Sequence, residues 1–302
     1  SVSRGLGDVY KRQRLFLDTY KIWVEQTVTD RVGLYRFTYT QDGLAKVLVN
    51  LGGHIATSTL LNAHVTKVND TEISGYFDTA GRVWGGVDVA KVYFVVQFDK
   101  PFVSYGTWEN RKNTIQKNNL SREGEGIGAY VQFAKGSKVQ AKVSTSYISP
   151  EQAEVTMTRE LGKHSSVEVT KQAAADVWNQ LLNRVLVEGG TEEDMKTFYS
   201  CMFRANLFSH KFYEEKEDGS PYYYSPYDEK IHDGYMFTDN GFWDTFRSQF
   251  PLTNILHPTM QGQYMQALLD AQEQCGWLPS WSFPSETGGM VGNHSILSLI
   301  HI

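Results

Sequence analysis

The stretch Lys138-Val139-Gln140-Ala141-Lys142-Val143-Ser144-Thr145-Ser146-Tyr147-Ile148-Ser149-Pro150-Glu151-Gln152-Ala153-Glu154 decides the fold class, because the hydrophobic period changes inside it. Up to Tyr147 apolar and polar residues alternate, as in a half-buried strand. After Ser149-Pro150 the spacing turns helical. Proline suits a first helical turn, and Glu151 and Glu154 complement the positive end of the helix dipole. The chain reads as sheet before this point and helix after it.

Backward from the switch, residues from about Leu15 to Tyr147 form short alternating runs. Examples are Leu34-Tyr35-Arg36-Phe37-Thr38-Tyr39, Lys46-Val47-Leu48-Val49 and Lys91-Val92-Tyr93-Phe94-Val95-Val96-Gln97-Phe98. Glycines in Gln41-Asp42-Gly43 and Ala134-Lys135-Gly136-Ser137 supply the positive φ that tight turns need. This spacing of β-branched and aromatic runs predicts an antiparallel β-sandwich over 14–149. No dinucleotide fingerprint or phosphate loop follows any strand.

Forward from it, 150–165 reads as a connecting helix and linker, and 166–296 as a helical domain. A helix over Val167–Val187 places Ala173, Val177, Leu181, Leu182 and Val185 on one face, with Trp178 beside them. Thr191-Glu192-Glu193-Asp194 is a capping-box start. The following helix spaces Met195, Phe198, Tyr199, Met202 and Phe203 for one face, and another helix over Thr259–Gln274 turns Met265, Leu268 and Leu269 inward.

The 302 residues suit about two domains, and 41% hydrophobic against 21% charged content excludes disorder. A net charge of −5 provides no basic footprint for nucleic acid, and no apolar run is long enough for a membrane span. Cys201 and Cys275 are too few for a disulfide framework and read as buried small hydrophobes. Aromatic content is high at 13%, which serves core packing and also sugar stacking.

Both termini read as translated sequencing adapter. Asp8-Val9-Tyr10-Lys11-Arg12-Gln13 and Leu297-Ser298-Leu299-Ile300-His301-Ile302 can be encoded by strings that are reverse complements of each other, like a transposase mosaic end. The expectation is an adapter artefact over 1–13 and 297–302, with a fragment of a longer, metagenomic reading frame between them.

The informative region runs from Tyr222 to His294, where aromatic-rich loops interrupt the helices. Asp244 and Arg247, three apart on a helix start, form either a local ion pair or a carboxylate that accepts hydrogen bonds from vicinal hydroxyls. In the second case Trp243 lies against the ring and Arg247 holds the carboxylate. Glu286, before a Gly-rich turn, is either a capping acid or an acceptor or proton donor in a cavity. His294 is either a core histidine or a catalyst.

The order GFWDTFRSQFPL, GWLPSW and SETGGMVGNHS resembles glycoside hydrolase family 92, the calcium-dependent exo-acting α-mannosidases. Upstream, YFVVQFDKPF, KVSTSYIS and FYSCMFRANLFSH resemble earlier blocks of that family, so the likeness covers nearly all of 14–296. The resemblance implies an α+β multidomain protein, with an antiparallel β-sandwich followed by the first part of an (α/α)6 barrel. It implies inverting release of terminal mannose, often α-1,2-linked, from N-glycans or mannans, outside the cell or at its surface. It places Trp243 and Asp244 in the mannose subsite and matches Arg247, Glu286 and His294 to further motif positions.

The family's proton-donating glutamate, water-activating aspartates and calcium motifs lie in later blocks, such as Gly-Asn-Glu-Pro, that this sequence does not contain. The expected catalytic acid, base and calcium ligands therefore lie outside it, and the chain alone is expected to be inactive and prone to self-association through unpartnered helix faces. Two other classes stay open: a non-catalytic carbohydrate-binding protein on the same sandwich, and another (α/α)6 sugar-processing enzyme.

Overall fold

Alternation along the first half of the chain produces strands β1 (Gln13–Leu17), β2 (Ile22–Val28), β3 (Val32–Tyr39), β4 (Ala45–Leu51), β5 (His54–Ile55), β6 (Ser58–Asn69) and β7 (Glu72–Ala80). They are followed by β8 (Val89–Phe98), β9 (Ser104–Glu109), β10 (Thr114–Lys117), β11 (Ser121–Gly124), β12 (Ile127–Phe133) and β13 (Lys138–Ser146). The computed structural model describes residues 12–41, 43, 45–55, 58–80, 89–110, 114–162 and 165–300. A nine-stranded sheet runs β1-β2-β3-β13-β8-β7-β6-β11, with β5 beside β6, and a four-stranded sheet runs β10-β9-β12-β4. Their pairings are antiparallel.

Period-two alternation sends Ile127, Ala129, Val131 and Phe133 of β12 into a core shared with Val65, Ile73, Phe94, Val96 and Phe98 of the larger sheet. The larger sheet is also covered on its other face. Helix α1 (Pro150–Leu161) lays Ala153, Met157 and Leu161, one helical stripe, on Val32, Leu34 and Val95. This explains the unbroken Phe94-Val95-Val96 run, since a strand buried on both faces has no polar side. Burying Met157 and Leu161 stabilises the unit by about 1.5–3 kcal/mol each.

The sheet-to-helix junction forms as its sequence dictates. The Ser149 hydroxyl accepts from the Gln152 amide at 3.1 Å, Pro150 fills the first turn, and Gly162 ends α1 at φ 60°. The chain divides into two compact units between Val177 and Trp178. The sheet unit thus runs past Ser149 to include α1 and the first part of α2 (Val167–Leu182). A buried ion pair lies in this unit: Arg36 Nε donates to Glu25 at 2.7 Å, and its Nη1 reaches Glu168 of α2 at 2.5 Å. The hydrogen bond from Arg36 holds the Glu25 carboxyl below the usual carboxylate range against the opposing effect of burial.

In the helical part, several inward faces differ from those the periodicity predicts. On α2 the buried residues are Val167, Thr170 and Ala175, whereas Ala173 is exposed and Val177 is 60% exposed. The burial is fixed where the helix starts, beside the sheet, rather than by the longer stripe that follows. Helix α3 (Glu192–Ala205) has its capping box, Thr191 with Asp194, but buries only Met202 of the expected stripe. Cys201 is exposed rather than buried, because it sits about 100° around the helix from Met202. Cys275 is half-buried.

Short strands β14 (His210–Lys211), β15 (Glu214–Glu215), β16 (Pro221–Tyr224), β17 (Ile231–Asp233) and β18 (Phe237–Thr238) build the loops after α3. Next come β19 (Asn240–Gly241), α4 (Phe242–Thr245), α5 (Gln249–Leu256), α6 (Pro258–Cys275), β20 (Trp281–Ser282) and α7 (His294–Ile300). Met265 and Leu268 of α6 are buried with Phe242 and Phe250, while Leu269 is 40% exposed. Of the adapter-like ends, 1–11 and 301–302 lie outside the described residues; Gln13 opens β1 and Leu297 lies in α7.

Candidate functional site

One turn of helix organises the Trp243-Asp244 segment. In α4, Phe242 and Thr245 are three apart and share the inward face, which leaves Trp243 and Asp244 on the outward one. Phe242 packs into the cluster with Phe250, Met265 and Leu268. Thr245 is a polar strut: its hydroxyl donates to Asn240 Oδ1 at 3.0 Å, and Asn240 Nδ2 donates to Ser209 Oγ at 2.9 Å. Trp243 is 40% exposed and Asp244 is exposed.

A two-residue ribbon carries the second wall. Asn240 pairs with Ser282 and Gly241 with Trp281. A Cβ on Gly241 would stand 2.3 Å from Trp281 Nε1 and 2.9 Å from Asp244 Oδ2. The indole edge and the carboxylate therefore converge over the bare Cα of Gly241, where only glycine leaves room. Beneath, the Tyr227 hydroxyl meets Ser282 Oγ at 2.9 Å, and burial pushes that phenol well above its ordinary range. Trp281 is the residue that sequence reasoning passed over; the second tryptophan of Trp277-Leu278-Pro279-Ser280-Trp281 was the available signal.

Arg247 does not reach Asp244. The backbone stays helical through Phe246, so spacing alone would put the two on neighbouring positions, but the Arg247 side chain turns away from Asp244. The Arg247 guanidinium lies over the Phe246 ring instead, 5.2 Å from its centroid. His294 packs on the same ring at 4.6 Å, half-buried, with Nδ1 unpaired. Both expected arrangements, the local ion pair and the arginine-held carboxylate, are thus replaced by an arginine–phenylalanine–histidine cluster.

Glu286 is turned into its own loop. Its Oε1 accepts from Ser280 Oγ at 2.8 Å and from the Gly288 amide at 2.7 Å, and Oε2 accepts from the Ser280 amide at 2.5 Å. These bonds are those of a capping acid, and they fix the loop that delivers Trp281. The structure brings Trp243, Asp244 and Trp281 to one ledge, with Glu286 bracing the loop behind it. The ledge offers an exposed carboxylate beside the Trp281 indole, next in sequence to the exposed Trp243, a combination that accepts hydroxyl hydrogen bonds and covers an apolar ring face. Among the described residues no group of three or more His, Cys, Asp or Glu side chains is placed to hold a metal ion.

The description "Glycosyl hydrolase family 92 N-terminal domain" matches residues 11–146, and "Glycosyl hydrolase family 92 catalytic domain" matches residues 152–302. The family GH92 inverting mannosidase BT2199 from Bacteroides thetaiotaomicron VPI-5482 superposes with a TM-score of 0.85 at 32% identity, covering 96% of this chain and 38% of that one. The α-mannosidase BT3965 from Bacteroides thetaiotaomicron, in complex with mannoimidazole, is similar in fold with a TM-score of 0.83 at 21% identity, over 95% of this chain and 38% of that one. No sequence among curated proteins matches. The chain thus spans 38% of the length of these two enzymes. The antiparallel sheets followed by helices, and the family match on both halves, lead to one assignment: the chain belongs to glycoside hydrolase family 92.

Proposed function

We propose that this chain is part of an exo-acting, inverting α-mannosidase of mannose-containing glycans, often α-1,2-linked, and that its ledge holds the terminal sugar. The observation that carries the reading is the exposed Asp244 carboxylate beside Trp281 and half-exposed Trp243. Asp244 accepts hydrogen bonds from two vicinal hydroxyls, while an indole covers the apolar face of the ring. Such contacts bind and orient the sugar.

They do not by themselves cleave it. Inversion needs an acid and a base about 6.5–9.5 Å apart, on opposite faces of the anomeric carbon. Glu286 is engaged by three donors of its own loop, which leaves Asp244 as the ledge's open carboxylate. Acid, base and calcium ligands are assigned to parts of the parent enzyme that this chain does not span. Among the described residues no three carboxylates or imidazoles gather as a set of calcium ligands. We place the parent outside the cell, in the periplasm or at the cell surface, where polymeric glycans are met.

The test is mannose binding and hydrolysis by the purified chain. Mannose is expected to bind, and Asp244→Asn to weaken it by about tenfold or more, the scale of a lost charged hydrogen bond. No mannose is expected from α-1,2-mannobiose with calcium present. Release of mannose would overturn the assignment of acid and base, and unchanged binding by Asp244→Asn would overturn the ledge.

A further inference from the structure

The outer face of the four-stranded sheet carries a second arrangement of aromatic rings. Along β9 and β12, Tyr105, Ala129 and Val131 point into the sandwich, so alternation turns Ser104, Gly106, Trp108, Gly128, Tyr130 and Gln132 outward. Trp108 lies directly across from Gly128, and Tyr130 across from Gly106. A Cβ on Gly128 would fall 2.1–2.5 Å from three atoms of the Trp108 ring, and one on Gly106 would fall 2.5–2.6 Å from the Tyr130 hydroxyl and Cε1. Strand side chains ordinarily stand away from the sheet. Here both rings lie across it, each over the backbone that a glycine leaves bare.

These two rings floor a groove of about 620 Å3, within the range of small-ligand sites. Its rim holds Lys46, Lys117, Ser104 and Gln132 with the exposed apolar Leu48 and Ile115 beside them, and among the described residues no carboxylate lines it. Neither lysine has an ion-pair partner among the described residues. A positive groove on a chain of net charge −5 is a local reversal of sign, and it selects for an anionic occupant. Half-buried rings lying in a groove suit the apolar faces of pyranoses, and ammonium, amide and hydroxyl groups suit their substituents.

We propose that this face binds a glycan chain bearing acidic substituents, with sugar rings stacked on Trp108 and Tyr130 and its phosphate or carboxylate groups held by Lys46 and Lys117. The proposal goes beyond the mannose ledge and does not depend on it, since no residue is shared.

The test titrates the 302-residue chain with a phosphorylated α-mannan, the same mannan after phosphate removal, and polygalacturonate. The phosphorylated polymer or the polygalacturonate is expected to bind more tightly than the neutral mannan, and which of them does separates phosphate from carboxylate recognition. Trp108→Ala and Tyr130→Ala are each expected to weaken that binding by about tenfold, with Trp108→Phe restoring most of it. Lys46→Gln combined with Lys117→Gln should abolish the preference for acid. Hydrogen exchange on the unsubstituted chain supplies a readout independent of variant folding: the bound polymer should slow amides in 104–109 and 127–133. Equal affinity for all three polymers, or protection confined to 240–290, would overturn the proposal.

Discussion

Replacing Glu286 by glutamine separates a bracing role from a sugar-binding one, because the change is isosteric and removes only charge and acceptor capacity. In the native loop one oxygen takes two donors and the other takes one. A glutamine amide placed with its carbonyl toward Ser280 Oγ and the Gly288 amide keeps those two bonds in weaker, uncharged form. Its NH2 group then faces the Ser280 N–H, donor against donor. The orphaned amide costs about 1–3 kcal/mol, and the two weakened bonds add about 0.5 kcal/mol each. A total near 3 kcal/mol corresponds to roughly 100-fold faster exchange of the Ser280 and Gly288 amides if the loop opens locally. Amide exchange followed by mass spectrometry on wild type and Glu286→Gln measures this directly. Unchanged exchange at both amides, together with loss of mannose binding, would refute the bracing role and return Glu286 to the sugar.

Two further outcomes are expected. Gly241→Ala should lower the stability of the helical unit by about 1–3 kcal/mol and weaken mannose binding, because the new methyl must displace the Trp281 indole or the Asp244 carboxylate; thermal melting and titration read the two effects. Glu25, with its carboxyl held below the ordinary value, stabilises the sheet unit above the usual carboxylate range and loses that contribution as pH falls through its depressed value. Glu25→Gln should therefore cost about 3 kcal/mol at neutral pH and flatten the acid dependence of urea unfolding; parallel wild-type and variant pH curves would count against the pairing with Arg36.

The sheet-to-helix transition was legible because its signals are local. The alternation in Lys138–Val143, the Ser149 cap and Pro150 each act within a few residues of the atoms they satisfy. Strand membership was legible for the same reason, and the capping box at Thr191 needed only its own next three residues. Helix faces were less so. The stripe Ala173–Val177–Leu181 has the right period, yet which residues a helix buries depends on what lies beside it, as Val167 and Ala175 show. The ledge was half legible. Trp243 and Asp244 could be nominated from one segment, but Trp281 enters through a ribbon pairing with Gly241 that no spacing rule reports. Spacing put Arg247 near Asp244, but its side chain lies over the Phe246 ring instead, and Glu286 accepts from residues on both sides of it in the loop, Ser280 before and Gly288 after.

The ribbon of Asn240–Gly241 with Trp281–Ser282 is only two residues long on each side, yet it joins points separated in sequence by all of α5 and α6. Its hydrogen bonds are too few to offset by themselves the chain entropy of that closure. The helices must dock first and deliver the two ends to each other. The ledge is then a late-forming feature of this half of the molecule, and a single cut between Cys275 and Ser280 would separate indole from carboxylate while leaving both helices whole.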